Sequence, residues 1–190
     1  MRGDVAAAAG WTTVNKSEFN SYNDWRTEGL FSARVGWYWT NHLKTSVDVA
    51  TTSETEIYAP AQPVFTGITT LYPGSRFAFR GHHVAVSQIY QFGHNQWVHP
   101  FVAAGVDILA ETRSQRDDPL FFYDPLTRQS RSVRDPIEHP DHTDVRARAM
   151  VSAGLKAYVS RKTFFLTDVR MTFGRRAEEV QWGFGFGVDY

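Results

Sequence analysis

Histidines and carboxylates are the side chains of this sequence that could most readily do chemistry. Five of them lie within one short segment: Glu138, His139, Asp141, His142 and Asp144. Such ligands at this spacing can bind a divalent metal. The segment is interrupted by proline, however, which is typical of a solvated loop. A second set, His82, His83 and His99, lies in predicted strands and is interpreted as interior or interface histidine, so we predict no metal site and no cofactor.

Acyl-transfer chemistry needs a nucleophile and a base within hydrogen-bond reach. The sequence has no His-x-Ser element, and Ser87 follows His83 by four positions. In a strand these two residues stand about 13 Å apart. No glycine-rich phosphate loop, zinc motif or basic patch is present, and the twenty acidic residues balance the twenty basic ones. We therefore predict no enzyme, no catalytic residues and no nucleic-acid partner.

The chain has 190 residues and no cysteine, so one domain spanning residues 1–190 is expected, without disulfides. No run of about 18 apolar residues exists, which excludes a predicted transmembrane helix. This does not exclude a membrane, because barrel strands need only about 9–11 residues of alternating polarity.

Alternation of apolar and polar residues with a period of two predicts eight strands. They cover residues 4–14, 30–40, 43–58, 76–91, 97–111, 145–159, 163–173 and 181–190. The fourth strand changes phase, which predicts a β-bulge near Gly81, His82 and His83. The connection over 112–143 is the longest, and it is expected to be irregular. Short turns alternate with longer loops, so all the short turns should lie at one end.

The last strand alternates without a fault. One face carries Trp182, Phe184, Phe186, Val188 and Tyr190, and the other carries Gly183, Gly185, Gly187 and Asp189. This stretch resembles the C-terminal strand of bacterial outer-membrane β-barrels. The resemblance implies that this strand closes a barrel and is recognised by the outer-membrane assembly machinery.

Charge distribution indicates which face would meet lipid. In the second, third, fifth, sixth, seventh and eighth strands the apolar face carries no charged residue, as lipid exposure requires. The opposite face carries a predicted polar network in the lumen: Arg34, Lys44, Asp48, Asp107, Arg146, Arg148, Lys156, Asp168 and Arg170, together with Glu54, Glu56 and Asp189. Buried charges must be paired, and this set is balanced in sign.

Aromatic residues concentrate near the predicted strand ends, as in the girdles of membrane barrels. One belt contains Trp37, Trp39, Trp97, Phe165 and Tyr190; the other contains Trp11, Phe31, Phe77, Phe79, Phe173 and Trp182. With these features the chain resembles small eight-stranded outer-membrane proteins of the OmpA, OmpX and OmpW type. The resemblance implies an all-β, eight-stranded antiparallel up-and-down transmembrane barrel in the bacterial outer membrane.

The same resemblance implies a non-enzymatic role in the envelope, or in surface binding through the extracellular loops. The expected partners are membrane lipids, lipopolysaccharide, the assembly machinery and an unidentified ligand of the loops. Residues 1–6 do not form a signal peptide, so this location requires that one was removed. Two alternatives remain open: a soluble lipocalin-like barrel that binds a small apolar ligand, and a lipid-modifying barrel enzyme of the outer membrane.

Overall fold

Strands dominate the computed structural model, which describes residues 2–15, 25–60, 62–65, 69–72, 74–92, 97–124, 129–174 and 177–190. The strands are β1 (Arg2–Asn15), β2 (Trp25–Tyr38), β3 (Leu43–Thr52), β4 (Thr55–Ala59), β5 (Gln62–Phe65), β6 (Thr69–Tyr72), β7 (Ser75–Gln91), β8 (Val98–Asp117), β9 (Leu120–Asp124), β10 (Gln129–Arg134), β11 (Ile137–Tyr158), β12 (Thr163–Phe173) and β13 (Ala177–Asp189). Within these residues no helix is long and apolar enough to cross a membrane.

The chain divides into two compact units. The barrel unit contains Met1–Ser53, Gly81–Ala110 and Asp144–Tyr190, and the loop unit contains Glu54–Arg80 and Glu111–Thr143. Strands β7, β8 and β11 contribute residues to both units. The expectation of a single domain over residues 1–190 stays a prediction.

Eight strands close the barrel unit. Neighbours along the sheet are β3, β2, β1, β13, β12, β11, β8 and β7, and β7 pairs back with β3. The first and last strands meet in antiparallel register, with Val5 opposite Val188 and Trp11 opposite Trp182. The predicted fold class, an eight-stranded antiparallel up-and-down barrel, is therefore confirmed. Closure leaves none of these strands as an exposed edge.

Two short turns at one end of the barrel share one construction. In residues 39–42 the Thr40 hydroxyl accepts hydrogen bonds from the backbone N–H groups of His42 and Leu43, at 3.2 and 3.0 Å. In residues 159–162 the Ser160 hydroxyl accepts from Lys162 and Thr163, at 3.4 and 3.0 Å. These side chains satisfy donors that a tight turn would otherwise leave to solvent. The predicted turn at Gly93, His94 and Asn95 lies outside the described residues.

Burial alternates along the barrel strands in the predicted phase. In β12 every second residue from Phe164 to Thr172 is buried, and in β13 the apolar residues from Trp182 to Val188 are exposed. The exposed apolar side chains of the barrel include Val5, Phe31, Val49, Val86, Val106, Val151, Phe184 and Phe186. Phe186 is 64% exposed, whereas Phe164 on the other face is 1% exposed. The large apolar residues thus cover the outside of the barrel.

The predicted bulge at Gly81, His82 and His83 is wrong. Burial in β7 alternates without a break from Phe79 to Gln91, and the register with β3 is continuous from Leu43↔Tyr90 to Thr51↔His82. The extra residue lies in the partner, because Thr55 pairs with Phe79 after Thr51 pairs with His82.

The irregularity at residues 53–54 reverses which residues are buried. Beyond it Ile57 is buried and Glu56 is exposed, so the predicted polar face does not continue through Glu54 and Glu56. Phe79 is 1% exposed and does not belong to an outer aromatic belt. A one-residue slip moves every following side chain to the other face of a strand, which explains the errors at Glu54 and Glu56. Phe79 is buried because β7 has no bulge, so Phe79 lies on the same face as His83.

The segments predicted as irregular loops contain strands. Strand β8 extends to Asp117, β11 begins at Ile137, and β9 pairs with β10 between them. In residues 59–75, the predicted loop between the third and fourth predicted strands, β5 pairs with β6. Asp-Pro pairs at residues 118–119 and 135–136 separate these strands. Because such pairs are typical of loops, the sequence predicted an irregular segment, although the run Leu120–Asp124 favours a strand.

We predict that Phe184→Arg and Val151→Arg will each oppose membrane insertion, by about 2–4 kcal/mol for a charge facing lipid at the bilayer midplane. Phe184→Leu, which keeps the outer face apolar, and Ser152→Ala on the buried face serve as controls. The measurement is the fraction of protein that folds into lipid vesicles. Equal folded fractions for Phe184→Arg and Phe184→Leu would contradict the assigned faces.

Candidate functional site

The barrel interior gathers charged side chains into three clusters. The turn-end cluster, next to the short turns, contains Asp4, Lys44, Lys156 and Asp189. The central cluster contains Arg34, Asp48, Asp168 and Arg170. The far-end cluster contains His83, Asp107, Arg148 and Glu179. Along β13 the far-end residue Glu179 and the turn-end residue Asp189 stand ten positions apart, so the clusters succeed one another along the barrel.

The central cluster is a chain of alternating charges. Arg34 donates through Nε to Asp48 Oδ1 and through Nη2 to Asp168 Oδ2, each at 2.8 Å. Arg170 Nη2 lies 3.1 Å from Asp48 Oδ1. Two guanidinium groups and two carboxylates thus neutralise one another. Charge-assisted bonds of this kind are stronger than neutral ones and offset part of the cost of removing the ions from water.

The turn-end cluster is built around two lysines that share one carboxylate. Asp4 Oδ2 accepts from Lys44 Nζ at 2.6 Å and from Lys156 Nζ at 2.9 Å. Lys156 also donates to Asp189 Oδ1 at 2.7 Å and to Tyr38 Oη at 2.9 Å. Its ammonium group lies 3.8 Å from the centroid of the Phe164 ring, which adds a cation–π contact in a desolvated place.

The far-end cluster surrounds Arg148 with carboxylates. Arg148 Nη2 lies 2.5 Å from Asp107 Oδ2 and 2.7 Å from Glu179 Oε2. The ring of His83 faces the same acids, with Nδ1 3.3 Å from Asp107 and Nε2 3.8 Å from Glu179. Thr12 Oγ1 donates to Glu179 Oε1 at 2.6 Å. The hydrogen bond from this hydroxyl thus supplements the ion pairs here.

Glycines on the interior face leave room for these side chains. A Cβ atom at Gly183 would lie 2.7 Å from Asp168 Oδ1, and one at Gly36 would collide with Asp4 Oδ1. Larger residues at these two positions would displace the carboxylates of the central and turn-end clusters. Close packing against the interior side chains therefore explains why this face of the closing strand is rich in glycine.

Nine of the twelve residues predicted for the lumen network belong to these clusters, and all of them except Asp189 are buried: Arg34, Lys44, Asp48, Asp107, Arg148, Lys156, Asp168, Arg170 and Asp189. Arg146 differs from the prediction, because its side chain is exposed and lies outside the clusters. All residues of β11 from Ile137 to Ala147 are exposed, so burial on alternate positions begins only at Arg148.

Three members of the clusters were not among the predicted lumen residues. Asp4 lies at the start of β1, where the face of a terminal residue is uncertain, and Glu179 lies in a segment predicted as a turn. Each lies two positions from a buried strand residue, Asp4 from Ala6 and Glu179 from Gln181. The period of two could therefore have predicted that both point into the interior. His83 is among the histidines interpreted from the sequence as interior or interface residues, but it was not included in the predicted charged network.

The predicted histidine sets do not converge. His82 is exposed and His83 is buried, because consecutive strand residues point to opposite faces. His139, Asp141, His142 and Asp144 are all exposed on β11. Within the described ranges no group of three or more histidines and carboxylates is placed to hold a metal ion.

Asp117 is the centre of a polar cluster in the loop unit. Its carboxylate accepts from Ser75 Oγ at 2.7 Å and from Gln115 Nε2 at 3.2 Å, and it lies 3.1 Å from His139 Nε2. The hydrogen bond from Ser75 is the main cause that lowers the pKa of Asp117, and the hydrogen bonds with His139 and Gln115 lower this pKa further. These bonds tie β8 to β7 and β11 inside the loop unit.

We predict that Asp48→Asn will destabilise the barrel by about 3–5 kcal/mol, because it leaves buried guanidinium charge without its carboxylate. Glu54→Gln is the matched control. Its ion pair with Arg80, at 3.2 Å, is about half exposed, so the expected loss is below about 1 kcal/mol. Urea unfolding in lipid or detergent measures both variants, and similar losses would contradict a structural role for the central cluster.

A second prediction concerns acid pH. Because the pKa of Asp117 is lowered in the folded state, its stabilising contribution is complete above about pH 4 and is lost as the pH falls through the folded pKa. Asp117→Asn should therefore reduce the pH dependence of amide exchange in residues 75–79 between about pH 6 and about pH 3. Asp141→Asn, an exposed control, should behave like the native protein; equal effects of both substitutions would refute this assignment.

No protein-family model matches the sequence, and no curated protein matches it either. Solved structures of the same fold do exist. Ail, the attachment invasion locus protein of Yersinia pestis, has a TM-score of 0.58 and 10% identity, over 100% of this chain and 98% of that chain. Neisserial surface protein A has a TM-score of 0.56 and 13% identity, over 99% and 95% of the two chains.

The outer membrane protein OprG of Pseudomonas aeruginosa has a TM-score of 0.54 and 10% identity, over 99% of this chain and 96% of that chain. At these identities the likeness concerns the fold alone. All three are small outer-membrane β-barrels, the class of protein that the closing strand and the alternating faces of this sequence resemble. The chain thus has the fold of the small eight-stranded outer-membrane β-barrel proteins.

Proposed function

We propose that this chain is an integral outer-membrane protein with a closed lumen, which acts in the envelope as a structural element and presents its loops as a binding surface. The observation that carries the proposal is the distribution of polarity. Charged side chains fill the buried face, while valine, phenylalanine and tryptophan cover the exposed face. A barrel in water requires the reverse arrangement, whereas a barrel in lipid requires this one.

The filled lumen argues against a channel. Three ion-paired clusters follow one another inside the barrel, and a buried apolar group that includes Ala6, Ile89, Phe101 and Phe164 fills further interior space. Eight strands give a barrel whose interior is only wide enough for side chains. Passage of an ion would require several buried ion pairs to separate at once, so a structural role fits better than transport.

The loop unit supports a role in binding. Its two segments carry nine acidic and seven basic residues, so its surface is mixed in charge and has no cationic excess. Ail of Yersinia pestis has been solved with the heparin analogue sucrose octasulfate, which gives a precedent for ligand binding by a barrel of this fold. For this chain the charge balance favours a ligand of mixed charge, such as a protein surface, over a polyanion.

A lipocalin-like barrel would need an apolar interior for its ligand, and the charged interior found here does not suit one. A lipid-modifying enzyme would need a free base beside a nucleophile. His83 faces Asp107 and Glu179 within an ion-paired cluster, which favours a structural role for this histidine. We therefore propose a non-enzymatic protein.

The proposed partners follow from the location. The exposed apolar face would contact membrane lipids, and the loops of an outer-membrane barrel would meet lipopolysaccharide. The closing strand, with Trp182, Phe184, Phe186 and Val188 on one face, has the pattern that the assembly machinery recognises in the family that it resembles. The proposed location is the bacterial outer membrane.

We predict that the protein will require detergent for extraction and will migrate differently on a gel before and after heating in detergent. Reconstituted in planar bilayers, it should show no steady open-channel current, because the lumen is filled. A protein that stays in solution without detergent would refute the membrane proposal. A steady current would leave the location intact and refute the closed lumen.

A further inference from the structure

A recess opens at the end of the barrel that carries the short turns. Its volume is about 500 Å³, in the range of sites for small molecules. The side chains that line it include Arg2, Tyr38, His99, Tyr158, Arg161 and Lys162. They come from β1, β2, β8, β11 and the turn at residues 159–162, so the recess depends on closure of the barrel.

The cations of this recess differ from those of the interior. In the part of the chain that the structure describes, Arg2, Arg161 and Lys162 are exposed and make no ion pair, whereas the interior lysines and arginines are each paired. The acid that also lines the recess, Asp189, already binds Lys156 and accepts from the Tyr158 hydroxyl. Three positively charged side chains therefore line the recess without an ion pair of their own.

We propose that this recess binds the phosphate group of a small anionic molecule. Arginine and lysine are the side chains that recognise phosphate, the first through its planar fork and the second as a point charge. Two hydrogen bonds fix the backbone of the turn at residues 159–162, which carries Arg161 and Lys162. The Ser160 hydroxyl accepts from the Thr163 N–H at 3.0 Å, and the Val159 N–H donates to the Thr163 carbonyl at 2.9 Å. The ring of His99 and the Asn41 side chain add polar groups to the lining.

Two sources could supply such a phosphate. One is the headgroup of a phospholipid, because Trp37, Trp39 and Trp97 are exposed on strands and turns at this end, and tryptophan prefers the headgroup region of a membrane. The other is a soluble phosphate or phosphate ester. Both present the same chemistry to Arg161 and Lys162, and the experiment separates them.

The first measurement titrates inorganic phosphate into the protein in a non-ionic detergent and follows binding by calorimetry. The recess variant is Arg161→Gln with Lys162→Gln, and the control is Arg76→Gln with Arg116→Gln, which removes two exposed charges from the loop unit. We expect about tenfold weaker binding for the recess variant, since each exposed charge contributes a factor of about two to five. The control should bind like the native protein, and heat-modifiable mobility checks that all three are folded.

The second measurement uses nanodiscs of phosphatidylcholine with or without phosphatidylglycerol. Weaker binding of inorganic phosphate in the phosphatidylglycerol discs alone would identify the lipid headgroup as the occupant, and equal binding in both discs would identify a soluble phosphate. Enrichment of phosphatidylglycerol around the native protein, lost in the recess variant, would support the headgroup even without phosphate binding in detergent. The proposal is overturned if neither phosphate nor phosphatidylglycerol distinguishes the native protein from the recess variant.

Discussion

Charge inside a narrow barrel is the constraint on which this structure depends. Removing a carboxylate or a guanidinium from water is so costly that each must meet an opposite charge. Asp48 shows the solution, since two arginines from β2 and β12 converge on its carboxylate from different directions. These ion pairs connect β3 with its sheet neighbour β2 and, through the barrel interior, with β12.

Much of this arrangement follows from parity. The alternation around Phe184 and Val151 predicts an outer position for these residues, and both are exposed; the same rule predicts an interior position for Lys156 and Arg170, and both are buried. Alternation predicts the wrong face where the pairing with β7 shifts by one residue between β3 and β4. A single residue at positions 53–54 reverses the phase of β4, and the sequence offers no glycine or proline there to mark it.

Alternation along the sequence does not predict which interior charges contact one another. Lys156 and Asp4 are separated by 152 positions, and they meet because of the way the closed sheet staggers its strands. The pattern gives the face of a residue but not its height in the barrel. The recess was missed for a similar reason, because Arg2, Arg161 and Lys162 converge only when the first strand and a distant turn reach the same end.

Lys156 has one more consequence, for the order in which the barrel can form. Its ammonium group bridges Asp4 on the first strand and Asp189 on the last, which are themselves paired across the seam. In a sheet whose first and last strands had not yet met, Lys156 could keep its bond to Asp189, because β11, β12 and β13 are consecutive, but it would lack its bond to Asp4. That bond forms only when the barrel closes, so it stabilises the closed barrel relative to an open sheet.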